Sequence, residues 1–130
     1  CLVNDVSERE WQIENTGQWV KGKSHDTYGP IGPYIVTKDE ISDINNLNMS
    51  LDVNGERMQS GNTKTMIFDV DMIVSYVSKF MTLCPGDIIT TGTPPGVGMA
   101  KKPQLFLKDG DKLNLKIDNL GEQNSKVFTI

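Results

Sequence analysis

The chain has 130 residues, 37% hydrophobic and 23% charged, with a formal net charge of −4 and two cysteines. These totals suit one globular unit with a modest core. They exclude a nucleic-acid or anionic-membrane partner, since both need a basic surface, and Cys1 and Cys84 are too few for a disulfide framework or a zinc site. Reduced thiols in a cytoplasmic protein are the expectation. No run approaches 18 apolar residues, and no charged segment followed by an apolar one marks a signal peptide. The start lacks Met and is abruptly apolar, so a piece of something longer is expected.

In chain order, CLVN (1–4) predicts a strand end. Ser7, with Glu10 three residues on, predicts a capping box for a helix SEREWQIEN that stops near Gly17. Five Gly and Pro residues mark 21–34 as loop, closed by a short strand YIVT (34–37). DEISDINN predicts a turn or one helical turn. MSLDVNGERMQ predicts two strands joined at Asn54-Gly55, a strong hairpin signal. DVDMIVSYVSKFM (69–81) places Ile73, Val77 and Phe80 on one stripe with Asp69 as N-cap, an amphipathic helix. CPGDIITTG predicts a turn into a buried strand, TPPGVGMAKKPQ a loop, and KLNLKID and KVFTI two further strands. The sum is a β-rich α+β chain with two helices and no internal repeat.

Asp5, Arg9 and Gln12 are spaced by four and then three, which stacks them on one helical face. One account is ordinary: a cap, and a solvated helix face. The other is chemical. A hard divalent cation takes carboxylate oxygens such as those of Asp5, and the planar fork of Arg9 suits a carboxylate, with Gln12 beside it. Lys23, in the Gly-flanked stretch VKGKS, is either surface solvation or a charge that stabilises a developing oxyanion. His25 is the only histidine, so the chain cannot assemble a Ser-His-Asp triad by itself and a structural or exposed role is expected. TTGTPPGVG (90–98) fits neither GxxxxGK[ST] nor GxGxxG. It is a strand-to-loop exit, or it points backbone N–H groups and the Thr93 hydroxyl at an anion.

Taken together, NDVSEREWQ, GQWVKGKSHDTYGPIGPYIVT, VNGERMQSGNTKTMIFDV, CPGDIITTGTPPGVG and LKDGDKLNLKIDNLG resemble the fumarylacetoacetate hydrolase family, in the family's order and over essentially the whole chain. The resemblance is to the C-terminal part of that family's catalytic domain, so residues 1–130 are expected to be the C-terminal portion of a single domain with a mixed β-sandwich or β-roll and a few short helices. It implies a divalent cation, Mg2+ or Mn2+, held by Asp5 and by two glutamates of an E-x-E motif upstream of it; no Glu-x-Glu of this chain sits in that position, since Glu8 and Glu10 belong to the predicted helix. It places Arg9, Gln12 and Thr93 on substrate-gripping positions and Lys23 on the catalytic lysine, with Thr27 a weaker match near the cation. The Glu-His dyad by which hydrolytic members activate water is also not in these residues.

The resemblance implies a metal-dependent hydrolase that cleaves a C–C bond of a 2,4-diketo acid, of the acylpyruvate or diketo-deoxy sugar acid type, through a metal-stabilised enolate. The alternative is isomerase or decarboxylase action on a hydroxymuconate-type 2-oxo acid by the same enolate chemistry. A second alternative is a catalytically inactive β-rich module. The expected partner is a small-molecule carboxylate substrate, with no nucleic acid and no membrane, and the expected assembly is a homodimer.

Overall fold

In the computed structural model, which describes residues 1–129, the apolar start of the chain is a strand. Leu2–Val3 (β1) pairs antiparallel with Ile31–Gly32 (β2), Leu2 opposite Gly32. Leu2 is fully buried. The Asn4 N–H continues the pairing by donating to the Pro30 carbonyl at 3.1 Å.

The first predicted helix is shorter and wider than its sequence suggests. It is a single turn, Glu10–Glu14, closed by the Asn15 N–H donating to the Glu10 carbonyl at 2.9 Å. The expected capping box does not form, because the Ser7 hydroxyl donates to the Asp5 carbonyl at 3.1 Å and accepts from Lys23. Glu8 caps the turn instead, its carboxylate accepting from the Trp11 and Glu10 N–H groups at 2.6 and 3.1 Å. Such wide turns are rare and recur at functional sites.

YIVT is not a strand. It pairs with no strand among the described residues, and a strand exists only by pairing with a neighbour; the pairing segment lies three residues earlier, in β2. Lys38–Glu40 is one helical turn, as the sequence suggests.

The Asn54-Gly55 hairpin forms as expected. Asn48–Val53 (β3) and Glu56–Asn62 (β4) are antiparallel, and both turn residues take the left-handed backbone, φ 53° and 83°. A two-residue type I′ turn needs positive φ at both positions, which Asn and Gly tolerate best. The ladder carries one bulge. Leu51 faces Gln59 and Asp52 faces Arg57, so Met58 is the extra residue and the strand bends there.

The predicted helix over 69–81 is Val70–Val77 (α1). Asp69 caps it, accepting from the Met72 N–H at 2.8 Å. Ile73 and Val77 are half-buried, as the stripe requires, while Phe80 lies beyond the helix end and is exposed. The segment CPGDIITTG runs on without a ladder. No strand among the described residues pairs with it and Ile88 is exposed, so the expected buried strand is not formed.

Lys112–Ile117 (β5) pairs with β3 and with Gly121–Lys126 (β6), giving a four-stranded antiparallel sheet in the order β4-β3-β5-β6. The last strand lies upstream of its predicted place: of KVFTI only Lys126 belongs to β6, and Ile130 lies outside the described residues. Its sequence, GEQNSK, is entirely polar and gives no apolar alternation, so only its register against β5 makes it a strand. The Gln123 side chain on β6 donates to the Pro30 carbonyl at 3.1 Å and ties the large sheet to the small one. The architecture is therefore β-rich α+β with two sheets, as expected. Leu2, Leu47 and Leu113 are its buried apolar residues.

Candidate active site

The site is built where the end of β1 meets the loop after the wide turn. Gly22 makes the meeting possible. Its own position is buried, and a Cβ there would come within 2.5 Å of the Gln12 Cβ. The Glu8 N–H donates to the Gly22 carbonyl at 2.9 Å, which fixes the loop onto the turn. Lys23 follows and turns its ammonium back toward the strand end. Its Nζ lies 2.7 Å from Asp5 Oδ2 and 2.6 Å from Ser7 Oγ. The two charged side chains are 27% and 49% exposed, so this ion pair contributes at most about 1 kcal/mol to stability. Its consequence is placement: one cation and one carboxylate held at a fixed point.

They stand on a pocket of about 440 Å3. Val3 and Ile31 of the small sheet line it, as do Ile88 and Thr90 of the segment without a strand partner. An open, half-apolar hollow with a fixed acid and a fixed ammonium suits a small anion with a carbon skeleton.

Arg9, Gln12 and Thr93 are not on this wall. Arg9 and Gln12 are together, as their spacing predicts, with Arg9 Nη1 donating to Gln12 Oε1 at 2.5 Å. Gln12 is fully buried beneath Gly22, and its Nε2 has no hydrogen-bond partner among the described residues. A buried donor without an acceptor costs about 1–3 kcal/mol. Thr93 lies three residues beyond the wall residue Thr90 and is bonded to β4 rather than to the Asp5–Lys23 pair. Thr27 is exposed and is not among the pocket's lining residues. His25 is exposed and its ring stacks on Tyr28 at 4.8 Å, in keeping with a structural role. Burial and then the nearby Glu8 carboxylate raise the Tyr28 pKa, so the phenol keeps its proton.

Two further residues belong to the site and were not visible as such in the sequence. Ser7 reads as a helix cap from its S-x-x-E spacing but is the second partner of Lys23. Thr90 sits in TTGTP with no local signal to separate it from Thr91 and Thr93.

The donor set fits a divalent cation in kind. Asp5 offers hard carboxylate oxygens at the pocket, and Mg2+ and Mn2+ sites keep places for water and substrate oxygens. Among the described residues no group of three or more His, Cys, Asp and Glu side chains is placed to hold a metal, so the Asp5 carboxylate is not by itself a complete donor set.

Comparison with known proteins identifies the family to which this β-rich scaffold belongs. Residues 1–128 match the model of the fumarylacetoacetate (FAA) hydrolase C-terminal family. The chain belongs to that family. A curated protein of Burkholderia ambifaria, named only as a hydrolase, is 62% identical over 124 residues, which is 95% of this chain and 44% of that protein. A fumarylacetoacetate hydrolase from the psychrophile Exiguobacterium antarcticum has the same fold, with a TM-score of 0.94 and 44% identity over 98% of this chain and 46% of that one. The 2-hydroxyhepta-2,4-diene-1,7-dioate isomerase of Mycobacterium marinum follows with a TM-score of 0.84 and 42% identity over 97% and 46%. Maleylpyruvate hydrolase from Sphingobium sp. SYK-6, in complex with manganese(II) ion and pyruvate, has a TM-score of 0.77 and 39% identity over 87% and 40%. This chain spans less than half the length of the relatives it matches.

Proposed function

We propose that these residues are the C-terminal portion of a single catalytic domain of a metal-dependent hydrolase acting on the C–C bond of a 2,4-diketo acid of the acylpyruvate or diketo-deoxy sugar acid type. The observation that carries the proposal is the Lys23 ammonium held 2.7 Å from the Asp5 carboxylate on the wall of a pocket sized for a small acid. The hydrolases among the relatives support it, and so does the manganese and pyruvate complex of the maleylpyruvate hydrolase.

In this proposal Asp5 holds Mg2+ or Mn2+, which when bound supplies Lewis-acid polarisation of the substrate's oxo groups. Arg9, Gln12 and Thr93 bind the substrate carboxylate, the role that their motif positions imply. Water adds at C4, the C3–C4 bond breaks, and its electron pair passes to C3 as C2–C3 becomes an enolate. Lys23 Nζ hydrogen-bonds the oxygen that gains charge in this step. Protonation at C3 gives the smaller 2-oxo acid, and C4 leaves as the second carboxylate.

Isomerisation of a hydroxymuconate-type acid is a second reading, favoured by the Mycobacterium marinum isomerase among the neighbours. A homodimer is part of the proposal, supported by the exposed Ile67, Phe68, Met72, Tyr76 and Phe80 on and around α1. So is a cytoplasmic location, since both cysteines are free thiols. Acetylpyruvate supplied to the intact protein with Mg2+ tests the reaction. Release of pyruvate and acetate in equal amounts is expected. Turnover of a hydroxymuconate acid without any cleavage of acetylpyruvate would replace hydrolysis by isomerisation.

A further inference from the structure

Gln59 is 9% exposed, one residue past the Met58 bulge of β4, and its side chain leaves the sheet toward the loop 93–96. Its Nε2 lies 2.9 Å from Thr93 Oγ1 and 2.8 Å from the Pro94 carbonyl oxygen. A carbonyl oxygen only accepts, so the atom that faces it must be the amide nitrogen. That nitrogen therefore donates one hydrogen to Pro94 and the other to Thr93. Thr93 Oγ1 is the acceptor in this contact, and its own hydrogen has no acceptor among the described residues. The loop is held close enough for this bond to be fixed: Gly61 of β4 packs on Pro94, where a Cβ would come within 2.6 Å of the ring. Lys101 Nζ reaches back to Met58 Sδ at 3.1 Å and ties the far end of the loop to the same bulge.

We propose that Gln59 is a positioning residue that sets the Thr93 hydroxyl as a hydrogen-bond donor toward the substrate carboxylate. The inference rests on the carboxylate role given to Thr93 above. A hydroxyl can donate or accept, and an anion needs a donor. By filling the acceptor side of Thr93, Gln59 removes the orientation in which the hydroxyl hydrogen would turn back to the protein. Gln59→Glu is nearly the same shape and reverses the bond, because a carboxylate can only accept and would capture that hydrogen.

The test is pyruvate affinity, measured calorimetrically on the intact protein with Mn2+ present. The variants are Thr93→Val, Gln59→Glu, Gln59→Met and the double variant Gln59→Met with Thr93→Val. Mn2+ affinity and the thermal melt are followed for each as checks that the site is assembled. Thr93→Val is expected to weaken pyruvate roughly 10- to 100-fold, the range for a hydrogen bond to a charged group. Gln59→Glu should weaken it by a similar factor with Mn2+ affinity retained, and in turnover of acetylpyruvate should raise KM more than it lowers kcat. Gln59→Met should weaken it less, and should add nothing in the Thr93→Val background, because its effect passes through the hydroxyl. If Thr93→Val binds pyruvate as wild type does, the carboxylate role of Thr93 falls and this inference with it. If Thr93→Val weakens binding but neither Gln59 variant does, only the Gln59 inference is overturned. It is likewise overturned if Gln59→Met weakens binding as much in the Thr93→Val background as in the wild-type one, since Gln59 would then be an ordinary packing residue.

Discussion

Asp5 Oδ2 and Lys23 Nζ stand 2.7 Å apart, and Ser7 Oγ holds the same ammonium at 2.6 Å. An ion pair this exposed adds little to stability, yet two partners from one short segment fix the ammonium over the pocket. Lys23 is thus preorganised, and a preorganised charge has most effect on charge that develops during reaction. Lys23→Met should lower kcat on acetylpyruvate roughly 100- to 1000-fold, with a smaller change in KM. Steady-state kinetics of the intact protein measures both, and an unchanged kcat removes Lys23 from the chemistry.

Arg9 donates to Gln12 through Nη1 alone among the described residues, which leaves its other guanidinium N–H groups for a carboxylate in the proposed role. Arg9→Ala should raise KM for a carboxylate substrate roughly 10- to 100-fold with kcat held, because lost ground-state binding shows there. Arg9→Lys should recover only part, since it lacks the planar fork.

Gly22 touches Gln12 too closely for any side chain. Gly22→Ala should destabilise the fold by about 1–3 kcal/mol through overpacking, seen as a lower Tm. It should also weaken substrate binding, because the turn that carries Arg9 and Gln12 must move away from the loop that carries Lys23. A melt identical to wild type would show that the approach is not tight.

Asp111 gives the pH dependence. Its carboxylate accepts from the Asn54 side chain at 2.9 Å and from the Lys108 N–H at 2.8 Å. These bonds, the one to Asn54 first, hold its pKa below the ordinary aspartate value. The unfolded chain therefore takes up this proton first as pH falls. The stabilisation is present above the unfolded value of about 3.9 and is lost as pH drops through the lower folded value. The Tm of wild type should fall below about pH 4 more steeply than that of Asp111→Asn. Equal slopes would mean that Asp111 does not report on this turn.

What was legible in the sequence was mostly local. The Asn54-Gly55 turn and the Asp69 cap each depend on the backbone of a few residues, and both are where the sequence puts them. YIVT and IITT have the composition of strands, but a strand is made by its partner, and neither has one among the described residues. The reverse holds for GEQNSK, which is polar throughout and becomes β6 by its register with β5. Of the residues the five motifs picked out, Asp5 and Lys23 meet as an ion pair on the pocket wall, Arg9 and Gln12 form a second pair off that wall, and Thr93 is bonded to Gln59 instead. Ser7 and Gln59 were hidden because each acts through a residue distant in sequence: Ser7 through Lys23, Gln59 through Thr93. No spacing rule along the chain encodes such contacts.

The proposed chemistry turns on Asp5 as a ligand for a hard cation at this pocket. Electron paramagnetic resonance of Mn2+ titrated with the intact protein measures this directly, because the free aqueous ion and the bound ion differ in signal. Wild type should bind the ion, adding oxalate should change the bound spectrum, and Asp5→Asn should lose the binding while melting as wild type does. Undiminished Mn2+ binding by Asp5→Asn would contradict the ligand role.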